Sequence, residues 1–235
     1  MRDGDADELK REAGYAAVDR YVESGMVVGL GTGTTAAWVV RCIAERLESG
    51  ALENIVGIPT SERTAQLAGE LGVPMISLAR ARPDVVLDGA DEVSPEFEVV
   101  KGLGGALLRE KIVAAASGAS LIIVADDSKT VPVLGTSVPV PVEVEIFGWE
   151  VTAQDLAALG CTSTLRFSGE DMSDPYITDG GHYTVDCRFA DGIEDPKTLE
   201  KEIKYIPGAL ECGLFVGIAK AAVIAGEGGV SVTER

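Results

Sequence analysis

Ionisable side chains crowd a glycine-rich stretch of this chain: Asp88-Gly89-Ala90-Asp91-Glu92, then Lys101-Gly102-Leu103-Gly104-Gly105, then Glu110. Carboxylates and an ammonium converging on one pocket are the equipment of proton transfer, a base to take the proton and a cation to stabilise the oxyanion that forms. The apolar run Asp84-Val85-Val86-Leu87 leads into Asp88, which puts the first acids at the carboxyl end of a buried strand, where open α/β sheets bind ligands. Glycines after Lys101 let backbone approach a ligand closely. By spacing alone, Asp88, Asp91 and Glu92 equally suit a divalent-metal cluster, because Mg²⁺ is held by few carboxylates, or solvated loop acids. Glu110 lies two residues beyond Leu108 on a helix whose expected inward stripe is Leu108, Ile112 and Ala115; that puts it about 200° from the first of them, facing water or a cleft.

A second chemical element is Gly29-Leu30-Gly31-Thr32-Gly33-Thr34-Thr35. Its amides, three hydroxyls and the positive end of the following helix attract a phosphate. Position 34 is Thr, so the third glycine of G-x-G-x-x-G is missing, and there is no G-K-[ST] ending; neither a dinucleotide nor a nucleoside triphosphate is indicated. The competing reading is a tight strand-to-helix turn capped by a hydroxyl. Lys101 follows Val99-Val100, and Lys129 follows a strand over residues 121–124. Both ammonium groups are thereby aimed at the sheet edge that carries the threonine loop.

The elements that must position these groups alternate. A helix is expected over residues 7–22 with Leu9, Ala13, Ala16, Ala17 and Tyr21 near one face, then a strand over 26–30 and a helix over 36–47 with Ala37, Val40, Ala44 and Leu47 inward. Strands over 55–58, 75–78, 85–87 and 121–124 and helices over 61–70 and 106–116 follow. Short apolar runs between helices give an α/β fold, a Rossmann-like, mainly parallel sheet with helices on both faces and right-handed crossovers. From about residue 132 prolines punctuate the chain and strands alternate polar with apolar residues. Strands over 140–145, 163–167, 176–178, 183–189 and 210–216, with helices over 152–159 and 195–205, make a smaller α+β, ferredoxin-like domain. The expected division is residues 1–131 with 217–235 as the α/β catalytic domain and 132–216 as the smaller one.

The composition limits the partners. In 235 residues the formal net charge is −18, which argues against nucleic acid, since phosphate backbones are held by clustered Lys and Arg; an acidic surface serves solubility, with a saline environment as the alternative. An anionic substrate must then meet a locally positive pocket. Cys42, Cys161, Cys187 and Cys212 show no metal-ligand rhythm and are read as idle thiols. The one histidine, His182, is expected in an exposed hairpin turn with no assigned role. The acidic start and the lack of an apolar run of about 18 residues imply neither a signal peptide nor a membrane span, hence a cytoplasmic setting. No G-x-S-x-G marks a serine hydrolase.

Taken together, these motifs resemble the ribose-5-phosphate isomerase family of the A type, over nearly the whole chain. Residues 31–36 are similar to its G-T-G-[ST]-T-A loop, Asp88-Gly89-Ala90-Asp91-Glu92 to its D-G-A-D-E, and residues 101–111 to its K-G-x-G-[GA]-A-L-x-R-E-K. The resemblance implies an aldose–ketose isomerase that interconverts ribose 5-phosphate and ribulose 5-phosphate through an enediolate in the pentose phosphate pathway, without cofactor or metal. It makes Glu110 the base, with Asp88, Asp91 and Lys101 about the reacting oxygens. Thr32, Gly33, Thr34, Thr35, Gly89, Ala90, Gly102, Leu103, Gly104 and Lys129 then contact substrate, and Lys10 the phosphate. Leu103 departs from a triple-glycine version of the loop, so contact there is expected through backbone. The resemblance also implies a homodimer or homotetramer. A coenzyme A transferase and a non-catalytic sugar-phosphate sensor are the alternatives; acids around a lysine fit isomerisation better than the first, and no partner or DNA-binding domain is visible for the second.

Overall fold

The computed structural model describes residues 3–117, 120–169 and 173–235. In chain order the elements are α1 (Asp3–Tyr21), β1 (Val27–Leu30), α2 (Thr34–Glu48), β2 (Val56–Pro59), α3 (Glu62–Glu70), β3 (Val85–Asp88), β4 (Glu92–Val93), β5 (Val99–Val100), α4 (Leu107–Ala116) and β6 (Leu121–Asp126). A 3-10 turn, Asp127–Lys129, ends this half. The second half holds β7 (Val140–Val144), α5 (Trp149–Ala157), β8 (Thr162–Leu165), β9 (Phe167–Ser168), β10 (Asp174–Pro175) and β11 (Tyr183–Arg188), then α6 (Pro196–Tyr205), β12 (Ala209–Cys212), β13 (Leu214–Phe215), β14 (Ala219–Gly226) and β15 (Gly229–Glu234). Two compact units result, one of Met1–Ala90, Arg109–Thr130 and Ile218–Arg235, the other of Asp91–Leu108 and Val131–Gly217.

The first unit is built on a sheet of order β15-β14-β6-β3-β1-β2, parallel at each pairing except β14 with β15. Its strands read as near-continuous apolar runs because both faces are covered. On one face Val28, Leu30, Val85, Leu87, Ile122 and Val124 pack with Ala13 and Ala17 of α1 and Val39 and Ile43 of α2. α4 covers the other face. A β-carbon at Gly29 would stand 3.0 Å from Val113 Cγ1 and 2.7 Å from Val86 Cγ2, so glycine is what lets α4 settle on β1. Because only a short connection joins the end of α4 to the start of β6, α4 runs back across the sheet with its first turn at the carboxyl edge, as a crossover helix must.

Three expectations need correction here. Residues 75–78 form no strand: Met75 makes a single bridge to Gly57, and the turn closed by Arg80 N–H on Ser77 O at 2.9 Å carries the chain away. The buried stripe of α2 is Thr35, Ala36, Val39, Val40, Cys42 and Ile43, rotated from the one expected. On α4 the buried positions are Leu107, Glu110, Val113 and Ala114, whereas Ile112 is 49% exposed. The apolar pattern misplaced that stripe because a charged residue occupies one of its inward positions.

In the second unit the order β7-α5-β8-β11-α6-β12 folds into a four-stranded sheet, β12-β7-β11-β8, antiparallel throughout, which is the ferredoxin-like arrangement. Val140, Val142, Val144, Leu156, Val185, Leu199 and Ile203 form its core. Its companion, the three-stranded sheet β13-β5-β4, has two-residue strands too short to show a period. That sheet is why residues 91–108, expected with the first module, group with the second. Residues 176–178, expected as a strand, enter a turn in which Thr178 N–H meets His182 O at 2.9 Å.

Candidate active site

β1 lies between β2 and β3, so the chain leaves it in one direction and later returns on its other side. That is the topological switch point of the sheet, where α/β folds bind ligands. Off β1 comes the loop at residues 31–33; off β3 comes Asp88, 1% exposed. Asp88 Oδ1 accepts the amides of Thr32 at 3.1 Å and Gly89 at 2.8 Å. Gly31 N–H donates to Leu87 O at 3.0 Å, and a β-carbon on Gly31 would collide with the Asp88 carboxylate. Glycine at 31 is therefore what allows the loop and the acid to share this edge.

Beneath the loop lies a cluster of hydroxyls that sequence reasoning missed. Thr60 donates to Leu30 O at 3.0 Å and Thr64 to Gly31 O at 2.9 Å. One proton per hydroxyl then orders the rest: Ser61 donates to Thr64 at 3.0 Å and Thr32 to Ser61 at 2.8 Å. Thr32 thus has both its hydroxyl and its amide engaged within the protein. The cap position of α2 is Gly33, at φ 119°, with no side-chain capping bond and no acidic residue in the first turn. Hydroxyl capping is thereby set aside, and the first amides of a fifteen-residue helix point outward, the arrangement that receives an anion. Thr34 is exposed beside them and Thr35 buried.

Glu110, 3% exposed, sits in the first turn of α4, one helical turn nearer the carboxyl edge than Val113 and on the same stripe. Lys129, half-buried, ends the 3-10 turn that follows β6, the strand adjacent to β3. Its turn is held by Asp126, a buried acid also overlooked, which accepts the Ser128 amide at 3.1 Å and the Ser128 hydroxyl. α1 ends at Tyr21, whose hydroxyl donates to Glu234 at 2.9 Å, and Glu234 pairs with Ala221 near the start of β14. That end of α1 is at the amino edge. Lys10, half-buried, lies about 16 Å back along the axis at the rise of a helix, toward the carboxyl edge. The first unit therefore gathers the threonine loop, Asp88, Glu110, Lys129 and Lys10 toward one edge.

The second unit holds Asp91, Lys101 and the glycine loop. Asp91 N–H donates to Val100 O at 2.8 Å, and Asp91 Oδ2 accepts the Leu103 amide at 2.9 Å. Lys101 is 2% exposed, with its ammonium 5.7 Å from the centre of the Phe215 ring, a cation–π distance. Glu92, a candidate from its motif, is committed to structure: its carboxylate accepts the amides of Gly135, Ser137 and Val138. Among the described residues, the three ligand-type side chains that converge are instead Glu200, Glu211 and Cys212, and Glu211 already holds Lys204 at 2.7 Å. His182 also differs from expectation: it is half-buried, with Nδ1 2.8 Å from the buried Glu143 carboxylate, which also accepts the Thr178 hydroxyl at 2.8 Å.

An uncapped helix start and a buried glutamate toward one edge of a Rossmann-like sheet are the features of an α/β enzyme with its site at the switch point. The comparisons with known proteins agree and go further. The family model described as ribose 5-phosphate isomerase A (phosphoriboisomerase A) matches residues 56–229. The ribose-5-phosphate isomerase A of Synechococcus sp. (strain JA-3-3Ab) is 50% identical over 232 residues, covering 98% of each chain. Among solved structures, ribose 5-phosphate isomerase from Plasmodium falciparum superposes with a TM-score of 0.93 at 38% identity, covering 97% of this chain and 99% of that one. A D-ribose-5-phosphate isomerase solved in complex with phospho-erythronic acid matches with a TM-score of 0.93 at 37% identity, covering 98% and 99%. The chain belongs to the ribose 5-phosphate isomerase A family.

Proposed function

We propose that this chain interconverts D-ribose 5-phosphate and D-ribulose 5-phosphate with Glu110 as the base that carries a proton between C2 and C1. The activity follows from family membership and is a step of the pentose phosphate pathway. In the open-chain aldose, Glu110 takes the C2 proton and the electron pair moves onto the C1 carbonyl oxygen, giving an enediolate. Glu110 returns its proton to C1, the hydroxyl proton of O2 passes to O1, and the carbonyl now stands at C2. Atoms and electrons balance within the substrate, so no oxidant, reductant or cofactor enters. Lys101 stabilises the oxyanion, where electrostatic catalysis gains most, and Asp88 and Asp91 shuttle hydroxyl protons and assist ring opening.

The phosphate, carrying about two negative charges, is assigned to the outward amides at residues 33–35, to Lys129 and to Lys10, with Gly89, Ala90, Gly102, Leu103 and Gly104 along the sugar. Phospho-erythronic acid, bound in a solved relative, carries a phosphate on a short polyol and a planar, anionic carboxylate where an enediolate intermediate has its planar, anionic oxygens. That compound supports a sugar phosphate as the substrate. Four free cysteines, three of them buried, favour a reducing, cytoplasmic compartment, and no described helix is long and apolar enough to cross a membrane. The working assembly is a homodimer or homotetramer.

The observation that carries this reading is a glutamate buried in the first turn of α4, toward the edge where the threonine loop opens. Glu110→Gln keeps the shape and removes the base. Its kcat for ribose 5-phosphate, followed by ketose absorbance on chelator-treated protein, should fall about 10² to 10⁴-fold, the span of general base catalysis, with KM largely kept. Turnover near that of the parent would remove Glu110 from the role.

A further inference from the structure

Lys101-Gly102-Leu103-Gly104-Gly105 has three glycines in five residues, two of them with left-handed backbone, Gly102 at φ 102° and Gly105 at φ 80°. Such a segment has little conformational preference of its own. Its shape is held by the side chain of the residue that follows β8. Arg166 Nη1 donates to Gly102 O at 3.1 Å and to Leu103 O at 3.0 Å. The same guanidinium is fixed from behind by Asp186: Nε donates to Oδ2 at 2.9 Å and Nη2 to Oδ1. Asp186 stands opposite Thr164 in the β8–β11 pairing, which makes Arg166 its diagonal neighbour, within reach of a long side chain. The guanidinium also lies 5.8 Å from the centre of the Tyr176 ring, and the Tyr176 hydroxyl fills the space a β-carbon on Gly105 would need.

Leu103 is therefore gripped twice, its carbonyl by Arg166 and its amide by the Asp91 carboxylate. We propose that Arg166, set by Asp186 and Tyr176, is a positioning residue that fixes the glycine loop and through it the orientation of Asp91 and the placement of Lys101. The proposal rests on the reading of Asp91 and Lys101 as reacting groups. Only a guanidinium suits the position, since it presents donors in a rigid fork to a carboxylate on one side and two carbonyls on the other. A lysine keeps the charge and one bond but cannot hold both carbonyls and the carboxylate together.

The test compares Arg166→Lys, Asp91→Asn and the double variant in steady-state kinetics, with thermal melts on each. Misplacement by about 1 Å costs up to about 10²-fold, so Arg166→Lys should lose about ten- to a hundredfold in kcat, a larger factor than any rise in KM. A residue acting through Asp91 gives non-additive losses, so the double variant should be little slower than Asp91→Asn alone. A folded Arg166→Lys with kcat within about twofold of the parent, or losses that multiply in the double variant, would overturn the proposal. Should Arg166→Lys not fold, Asp186→Asn frees the guanidinium from behind and carries the same two expectations. A parent-like kcat in Asp91→Asn would instead overturn the underlying reading of the site.

Discussion

Thr32, expected to contact substrate, is also a residue that ties its loop to the rest of the first unit. Its amide goes to Asp88 and its hydroxyl into the cluster of Thr60, Ser61 and Thr64, and the amides that follow lie at the uncapped start of α2, where the phosphate is proposed to bind. The cluster acts on the site through Gly31, whose carbonyl accepts from the buried Thr64 hydroxyl. Thr64→Val is nearly isosteric, yet removes that donor and the acceptor for Ser61. A buried polar group left unsatisfied costs about 1–3 kcal/mol, so the urea midpoint should fall by the equivalent amount. KM for ribose 5-phosphate should rise as the loop loosens, while kcat, assigned to the proposed base Glu110, changes little. An unchanged midpoint together with an unchanged KM would mean that the loop does not depend on the cluster.

Among the elements, α6 begins on a complete capping arrangement: Asp195 Oδ1 accepts the Thr198 amide at 3.0 Å, Oδ2 accepts the Thr198 hydroxyl at 2.7 Å, and proline holds the first turn. These bonds, the hydroxyl's foremost, hold the Asp195 carboxyl below its ordinary value of 3.8. A depressed carboxyl stabilises the fold above the unfolded value and loses that contribution as pH falls through the folded one. Asp195→Ala should therefore melt at a lower temperature than the parent at pH 7, and the gap should narrow once the pH drops below 3.8; a gap independent of pH would assign the loss to something other than the cap. Elements of this kind were legible in the sequence, because apolar runs, helix periods and cap residues are local signals. β1, β3, β6, β7, β8, β11 and α6 all sit within a residue or two of expectation, whereas α5 begins three residues early and the one strand expected over 210–216 is two, β12 and β13, in different sheets. β4, β5 and β13 were not legible, since two residues carry no period and their pairing joins positions far apart in sequence. The inward turn of Glu110 was hidden for another reason: a charged side chain on a buried stripe breaks the rule by which stripes are recognised. Arg166 gave no signal at all, because its meaning lies in where β8 and β11 bring it.

At the scale of the whole molecule, the surplus of 38 acidic over 20 basic residues keeps the surface soluble, so an apolar patch that stays exposed calls for its own explanation. On the second unit Phe147 is 92% exposed, and Val151 and Tyr205 are also exposed. Two bonds gather them: Thr152 Oγ1 donates to Pro207 O at 3.1 Å and Glu145 N–H to Gly208 O at 2.9 Å, so the start of α5 and the end of α6 share one surface. Aromatic residues open to water in this way are enriched where subunits meet, and a second copy of the chain is the occupant that the proposed homodimer or homotetramer supplies. Phe147→Asp combined with Tyr205→Ser should lower the mass measured by light scattering at a fixed micromolar concentration, with the circular dichroism spectrum kept, because neither side chain belongs to the core of its unit. The parent's mass retained in the double variant would move the subunit contact to another face; a monomeric parent would remove the assembly altogether.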